Sequence, residues 1–515
     1  MPPSNGMPRR RFLGASLAGA AAAVAARRGA AAPKARGERP PNVILIMSDE
    51  HNVFVNGCYG NRLVQTPHLD RLAAEGVAFD CAYTNSPLCV PARMAFTAGK
   101  YIHRSSAWSN ACWLPSPDYP SIARAMTAAG YEALLCGKQH YDATRRYGFT
   151  EIGGNMNRSY KTGRGGRRRS DDERINTRSR DARFKQFYAS SQSGILNHDR
   201  AVTKGTVEFL AKRKRTEKPF FLFAGYLAPH FPLIVAEKYW EPYKGKVPMP
   251  ALPPGHVESQ PLNYHHLRRG FGVVETDPAV VRKGRELYYG LTTWLDKQIG
   301  MVMRALAASS VADHTVVIYC TDHGENMGEH HLWWKNCMYE HAARIPLIVR
   351  YPERWTGGQR RQGACSTVDI VQTLADLGGA SLPDDWNGAS LCPVLDDPKA
   401  PWRDVAVSEY YAHNIASGFA MLRTGSFKYV YHTSPGNDHP AERELYDLEA
   451  DPGEFANLAA RPEHKPRIEQ MHAALVKELG EHPDETEQRC RAEYAKGYGR
   501  APKPRRKARK KPRKA

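Results

Sequence analysis

Short apolar runs rich in β-branched residues recur along the chain, each bounded by polar loops: Asn42–Met47, Tyr131–Cys136, Phe220–Tyr226, Thr315–Cys320 and Pro346–Tyr351. Runs that stay apolar instead of alternating read as strands covered on both faces, the pattern of a largely parallel sheet. Helical spacing lies between them. Thr66–Gly76 (TPHLDRLAAEG) and Pro120–Gly130 (PSIARAMTAAG) line up apolar side chains on one face and end at glycine, which predicts amphipathic helices. The Arg-, Ser- and Asp-rich stretch 157–185 predicts a surface loop or insertion. From about Trp386 the rhythm shortens to alternating stretches, Phe419–Arg423 and Phe427–Tyr431, followed by a helical pattern near Pro466–Leu479. The fold class predicted is α/β: a large, mostly parallel sheet over residues 40–385 and a smaller C-terminal α+β subdomain, an antiparallel sheet with one helix, over 386–490.

Composition changes this picture at the two ends. A chain of 515 residues with 42% hydrophobic content can bury a large core. Its net charge of +20 resembles that of a nucleic-acid binder, but +7 lies in residues 1–40 and +10 in 500–515, leaving +3 for the body. No nucleic-acid partner is therefore expected. Arg9-Arg10-Arg11-Phe12-Leu13 precedes an Ala/Gly-rich apolar stretch from Gly14 to Ala26 and then Ala30-Ala31-Ala32, the form of a twin-arginine export signal over 1–32. About thirteen weakly apolar residues are too few to span a hydrocarbon layer of about 30 Å. The prediction is an exported protein, periplasmic or extracellular, handled by the twin-arginine translocation machinery. The ten cysteines show no CxxC pair and give no readable disulfide pattern. Residues 491–515 are predicted to be a basic, disordered tail, either simply solvated or an electrostatic tether to polyanions.

Ligands of open α/β sheets bind beyond the carboxyl ends of the strands, and four of the five predicted strand ends carry reactive groups. These are Asp49, Glu50 and His51; Lys138 and His140; His230; and Asp322, His323 and Glu325. Asp49, Glu50 and Asp322 offer anionic oxygens suited to a hard divalent cation, and His323 leaves manganese or zinc open beside calcium. Cys89 lies in Ser86-Pro87-Leu88-Cys89-Val90-Pro91-Ala92-Arg93, before a stretch that can open a helix, where the helix N-terminus would lower a thiol pKa.

Cys89-Val90-Pro91-Ala92-Arg93 resembles the C-x-P-x-R signature of type I sulfatases, whose cysteine is converted to formylglycine (3-oxoalanine) by a formylglycine-generating enzyme. The likeness runs from residue 42 to about 460. It includes Ser48-Asp49-Glu50, Thr66-Pro67-His68-Leu69-Asp70, Gly137-Lys138-Gln139-His140, Ala228-Pro229-His230 and Asp322-His323-Gly324-Glu325. Gly328-Glu329-His330 with Lys335, and the late Glu444-Leu445-Tyr446-Asp447-Leu448 with Asp451-Pro452, continue it. The resemblance implies an alkaline-phosphatase-like α/β/α sandwich. It implies one divalent cation, usually Ca2+, among Asp49, Glu50, Asp322, His323 and the modified Cys89. The hydrated aldehyde of residue 89, assisted by Asp322, would attack sulfur. Arg93 and Lys138 would hold its oxygens, Lys335 and His230 would grip the sulfate and assist the departing alcohol, and His140 would take the proton whose loss expels sulfate.

Three departures from the commoner pattern stand out: Glu50 where many relatives carry a second Asp, Ala92 where Ser is frequent, and an additional Ala98 before Gly99. Two other functions compete, a phosphonate or phosphate ester hydrolase of the same fold and a non-catalytic polyanion-binding protein. The opening Ser48-Asp49-Glu50-His51-Asn52 resembles the branch that holds choline-sulfatase-like and carbohydrate sulfatases. A sulfated glycan fragment, choline sulfate and an aryl sulfate are thus the substrate candidates, with His103, Trp108, Asn110 and 157–185 as the expected pocket rim.

Overall fold

A computed structural model of the protein describes residues 39–153, 183–436 and 439–496. The predicted export signal, most of the 157–185 insertion and the tail beyond residue 496 lie outside the described residues.

The core is a nine-stranded sheet. Its spatial order is Gln359–Arg361, Val77–Tyr83, Arg344–Arg350, Thr315–Thr321, Asn42–Asp49, Phe220–Pro229, Glu132–Gly137 and Thr150–Glu151, with Cys365–Ser366 extending the edge beside Val77–Tyr83. Every residue of Asn42–Asp49 and Phe220–Pro229 is buried, which is why both read as continuous apolar runs. Their side chains alternate between two cores. Ile44, Ile46, Leu222 and Ala224 face one side, against helices Pro67–Ala74, Gly194–Lys212 and Pro278–Ala307. Val43, Leu45, Met47, Phe221 and Phe223 face the other, against Cys89–Ala98, Ile122–Ala128 and Thr367–Gly378. This is the three-layer α/β/α arrangement expected.

The sheet departs from the sequence reading in two places, and one helix begins later than predicted. Arg344–Arg350 runs antiparallel to both neighbours; the chain reaches it through loop and a four-residue helix, Glu340–Ala343, without the crossover that parallel pairing needs. Val77–Tyr83 was not predicted, because a register shift between Phe79 and Ala82 places partly exposed Asp80 and Cys81 inside it. The predicted helix at Pro120 begins at Ile122, where the Ser121 side chain caps it by accepting from Arg124 N.

Residues 406–447 form a separate four-stranded antiparallel sheet, Ala406–Tyr410, Phe419–Thr424, Phe427–His432 and Glu442–Asp447. Two helices follow it where one was predicted, Lys465–Leu479 and Pro483–Ala495, and the second occupies the start of the stretch read as tail. Among the described residues, no helix is long and apolar enough to cross a membrane.

Candidate active site

Strand order brings the site together. Asn42–Asp49 lies between Thr315–Thr321 and Phe220–Pro229, and Glu132–Gly137 is next, so the residues that follow these four strands emerge at one edge. Lys138 is turned into this edge by a close backbone approach: Lys138 N donates to Gly225 O, and a Cβ on Gly225 would lie 1.9 Å from Lys138 O. Cys89 enters from above as the first residue of helix Cys89–Ala98, whose residues are all buried.

Cys89 Sγ lies 3.2 Å from His323 Nε2 and 3.7 Å from Asp49 Oδ1. Asp49 pairs with Lys138 and with Arg93 Nη2 at 3.3 Å. Asp322 accepts from Arg93 Nε at 2.8 Å, from Glu50 N at 3.1 Å and from its neighbour His323 N at 3.0 Å. Glu50, in the left-handed region at φ 64°, meets Lys335 Nζ at 2.9 Å and His230 Nε2 at 3.1 Å. Lys335 Nζ donates to His230 Nε2 at 3.0 Å, so that nitrogen carries a lone pair. Three buried carboxylates are thus set among three buried or half-buried cations, with histidines between them.

These neighbours set the charge states. Burial alone would raise the Asp49 carboxyl, but Lys138, His230 and Arg93 hold it well below the usual range. Glu50 has less compensation, and burial pushes it up to about 7 against Lys335 and His230. Burial and Lys335 push His230 down to about 4, and burial with Lys138 keeps His140 neutral far below its ordinary value. The expected low thiol pKa at Cys89 is not found. Burial and then Asp49 push it up to about 12, outweighing the helix N-terminus, so the unmodified side chain is a neutral thiol.

The donor set fits a divalent cation. His323 Nδ1 donates to Gly324 O at 3.0 Å, which leaves a lone pair on Nε2, and that atom faces Asp322 Oδ1 at 3.6 Å and Asp49 Oδ1 at 3.9 Å. Acceptors turned on one another in a dry site require a cation or a proton between them, and burial lowers the His323 pKa. Asp49, Cys89, Asp322 and His323 place one ligand atom each within 4.8 Å of one another, as do Asp49, Glu50 and His230.

Arg93 differs from its expected place. Its guanidinium donates to Asp322, Asp49, Ser48 O, Lys138 O and Gln139 Oε1. Its donors are spent on the carboxylates and carbonyls around residue 89. Glu325 lies behind Glu50, whose carboxyl it raises, and its Oε1 accepts from Met327 N and Trp334 N and shapes the loop that presents Lys335. His51 is bound into the core by Tyr319 and Val55 O.

Over the cluster opens a cavity of about 440 Å³, floored by Glu50, His230 and Lys335. Phe231 and Trp334 form one wall, with ring centroids 4.8 Å apart, and Arg183 lies over Trp334 and Phe271 at the mouth. Asn110 lines this cavity, as predicted, while its Oδ1 accepts from Val90 N. His103 and Trp108 do not. His103 is buried against Glu409 and Leu479 O, and Trp108 Nε1 donates to Glu493.

Comparison with known families matches residues 41–380 to Sulfatase and residues 328–481 to the C-terminal part of N-sulphoglucosamine sulphohydrolase. The chain is 29% identical over 448 residues to a choline-sulfatase of Rhizobium meliloti (strain 1021), covering 82% of this chain and 83% of that protein. It is similar in fold to a protein solved in complex with its substrate D-glucosamine-2-N,6-O-disulfate, with a TM-score of 0.70 and 24% identity over 87% of this chain and 100% of the other. The phosphonate monoester hydrolase of Agrobacterium radiobacter is equally similar, with a TM-score of 0.70 and 23% identity over 85% and 95% of the two chains.

Proposed function

This chain belongs to the sulfatase family and is a sulfuric ester hydrolase, and from that premise we propose that it cleaves a sulfated sugar or other small organic sulfate with residue 89, oxidised to formylglycine, as nucleophile. The observation that carries the reading is the position of Cys89, within 3.7 Å of both His323 and Asp49 and next in the chain to Leu88, which lines a cavity together with Glu50, His230 and Lys335. With Cys89 only 1% exposed, a maturation enzyme has to act before the fold closes.

Asp49, Glu50, Asp322 and His323 would hold the cation, Ca2+ by the oxygen-rich donor set. When bound, it supplies positive charge that favours an ionised oxygen on residue 89 and offsets the charge of the sulfate. The hydrated aldehyde provides two hydroxyls. One forms a bond to sulfur as the bond from sulfur to the alcohol oxygen breaks, and the alcohol departs with a proton. Lys335 and His230 sit side by side at the cavity floor, where both can line the sulfate and Lys335, the protonated partner of the two, can furnish that proton. Neutral His140 can then take the proton of the second hydroxyl. The bond from carbon to sulfate oxygen breaks, sulfate leaves, the aldehyde re-forms, and water hydrates it again. Arg93, paired with both Asp49 and Asp322, holds the two carboxylates fixed throughout.

The fused aromatic wall of Phe231 and Trp334 suits a ring-shaped leaving group, and the sugar disulfate bound by the structural relative supports a sulfated sugar. Export follows from the twin-arginine pattern of residues 1–32 and is part of this proposal. The test is to express the protein with a formylglycine-generating enzyme, weigh the peptide containing residue 89, and assay sulfate release with calcium present. Conversion and sulfate release, both lost in Cys89→Ala, support the reading. A bare thiol with no ester cleavage defeats it, and turnover of a phosphonate monoester in place of a sulfate ester favours the phosphonate alternative.

A further inference from the structure

Lys335 stands in a segment with an unusual backbone. Its neighbours Trp334 and Asn336 hold φ values of 70° and 84°, left-handed conformations that residues with a Cβ seldom adopt unless their surroundings impose them. The surroundings here come largely from the second sheet. Asn336 Nδ2 donates to the Tyr410 hydroxyl at 2.9 Å, and Lys428 Nζ donates to Met338 O at 2.7 Å. Met338 N donates to the Tyr264 hydroxyl at 3.3 Å, which itself donates to Glu444 at 2.9 Å. Glu340 N donates to Glu454 Oε2 at 2.7 Å. Lys428 also pairs with both Glu340 and Glu454, and its side chain is fully buried. Two strands of that sheet directly, a third through Tyr264, and the turn after it thus hold Asn336, Met338 and Glu340, alternate residues of the segment that follows Lys335.

The turn is built for this contact. Asp451 N donates to Asp447 O, Glu454 N donates to Asp451 O, and Glu454 is itself left-handed at φ 55°, which aims its carboxylate back at Glu340. Of the Glu444–Leu448 and Asp451-Pro452 stretches, to which the chemistry assigns no step, the first supplies the Glu444 contact to Tyr264, and Asp447 and Asp451 frame the turn that carries Glu454.

We propose that Tyr410, Lys428 and Glu454 are positioning residues for Lys335, by which the second sheet fixes the ammonium group beside Glu50 and His230 in the sulfate site without touching substrate. This rests on the assignment of Lys335 to sulfate binding made above. Asn336 N also donates to Pro87 O, two residues before Cys89, so the same segment ties the clamp to the nucleophile loop.

The experiment uses full-length, matured protein carrying Lys428→Met, Tyr410→Phe, Lys335→Met and the double variants with Lys335→Met. Residue-89 conversion, thermal midpoint, kcat and KM for 4-nitrophenyl sulfate, and calorimetric binding of inorganic sulfate are measured for each. Expected is a loss in kcat/KM of roughly ten- to hundred-fold for Lys428→Met and a smaller one for Tyr410→Phe. Sulfate binding should weaken in parallel, conversion should stay unchanged, and neither change should lower activity further once Lys335 is gone. Losses that multiply with Lys335→Met, or sulfate binding within two-fold of wild type in Tyr410→Phe and Lys428→Met, overturn the proposal. If Lys428→Met does not fold, Tyr410→Phe decides alone. Wild-type protein that binds sulfate without hydrolysing any ester defeats the hydrolase mechanism but still scores the clamp on binding; wild-type protein that binds no sulfate overturns both.

Discussion

Arg93 Nε lies 2.8 Å from Asp322 Oδ2, with both side chains fully buried, and the same guanidinium reaches Asp49 at 3.3 Å. One planar fork therefore holds the two carboxylates that flank residue 89. Removal of one partner of a buried ion pair leaves uncompensated charge, at a cost of about 3–5 kcal/mol. Arg93→Met is expected to lower stability by that order in thermal or denaturant unfolding. Arg93→Lys keeps the charge but cannot serve two carboxylates and three carbonyls at once, and should recover part of the stability and little of the turnover. Equal stability of Arg93→Met and wild type would show that the guanidinium does not compensate these acids.

Divalent cations should stabilise the folded protein. If Asp49, Glu50, Asp322 and His323 hold Ca2+, a concentration of a hundred times Kd adds about 2.7 kcal/mol to unfolding stability. Chelation should reverse the shift. His323→Ala and Glu50→Gln should each reduce it, because the first removes a ligand atom and the second a negative charge. A thermal midpoint indifferent to calcium, manganese and zinc alike would argue against a cation at this cluster.

Replacement of Cys89 by alanine removes the heteroatom through which the side chain can become an aldehyde. Turnover of sulfate esters should fall by about 10⁶-fold, as expected when a nucleophile is removed. Stability should change by less than about 1 kcal/mol, because the neutral thiol makes one hydrogen bond of ordinary length to His323. Appreciable turnover in Cys89→Ala would reassign the nucleophile.

Much of the site could be read from the chain because the fold places it where apolar runs stop. Asp49, Lys138, His230 and Asp322 each follow a buried strand within three residues, so strand reading alone locates them. Lys335 follows no strand. It sits in a loop whose left-handed turns at Trp334 and Asn336 carry no glycine to announce them, and resemblance alone brought it in. The thiol of Cys89 was misjudged because a helix N-terminus is visible in sequence and the depth of burial is not. His103 and Trp108 were placed at the rim for want of their partners, Glu409 and Glu493, which lie 306 and 385 residues away along the chain. The clamp on Lys335 was hidden for the same reason, since Lys428 and Glu454 meet Glu340 across 88 and 114 residues.

Glu454 should make stability fall as pH rises from about 4.5 to about 8. The residue is 1% exposed, and burial pushes its carboxyl up to about 8; Lys428 opposes that rise and Glu340 adds to it. Tyr339 and Cys337 also face it, both held neutral by burial, and Arg344 and Arg423 neutralise Glu340 from its other side. One lysine thus serves two buried acids, and the pair keeps a proton that the unfolded chain releases near pH 4.5. The sign follows from linkage. A carboxyl with a raised folded pKa contributes stability that is complete below the unfolded value and is lost as pH climbs to the folded one, a loss on the order of a few kcal/mol between about pH 4.5 and pH 8. Glu454→Gln keeps an oxygen for Glu340 N and mimics the protonated acid. It should flatten the decline of the thermal midpoint between pH 6 and pH 9 and leave the variant more stable than wild type at pH 9. A midpoint that falls as steeply in Glu454→Gln as in wild type would place the proton elsewhere.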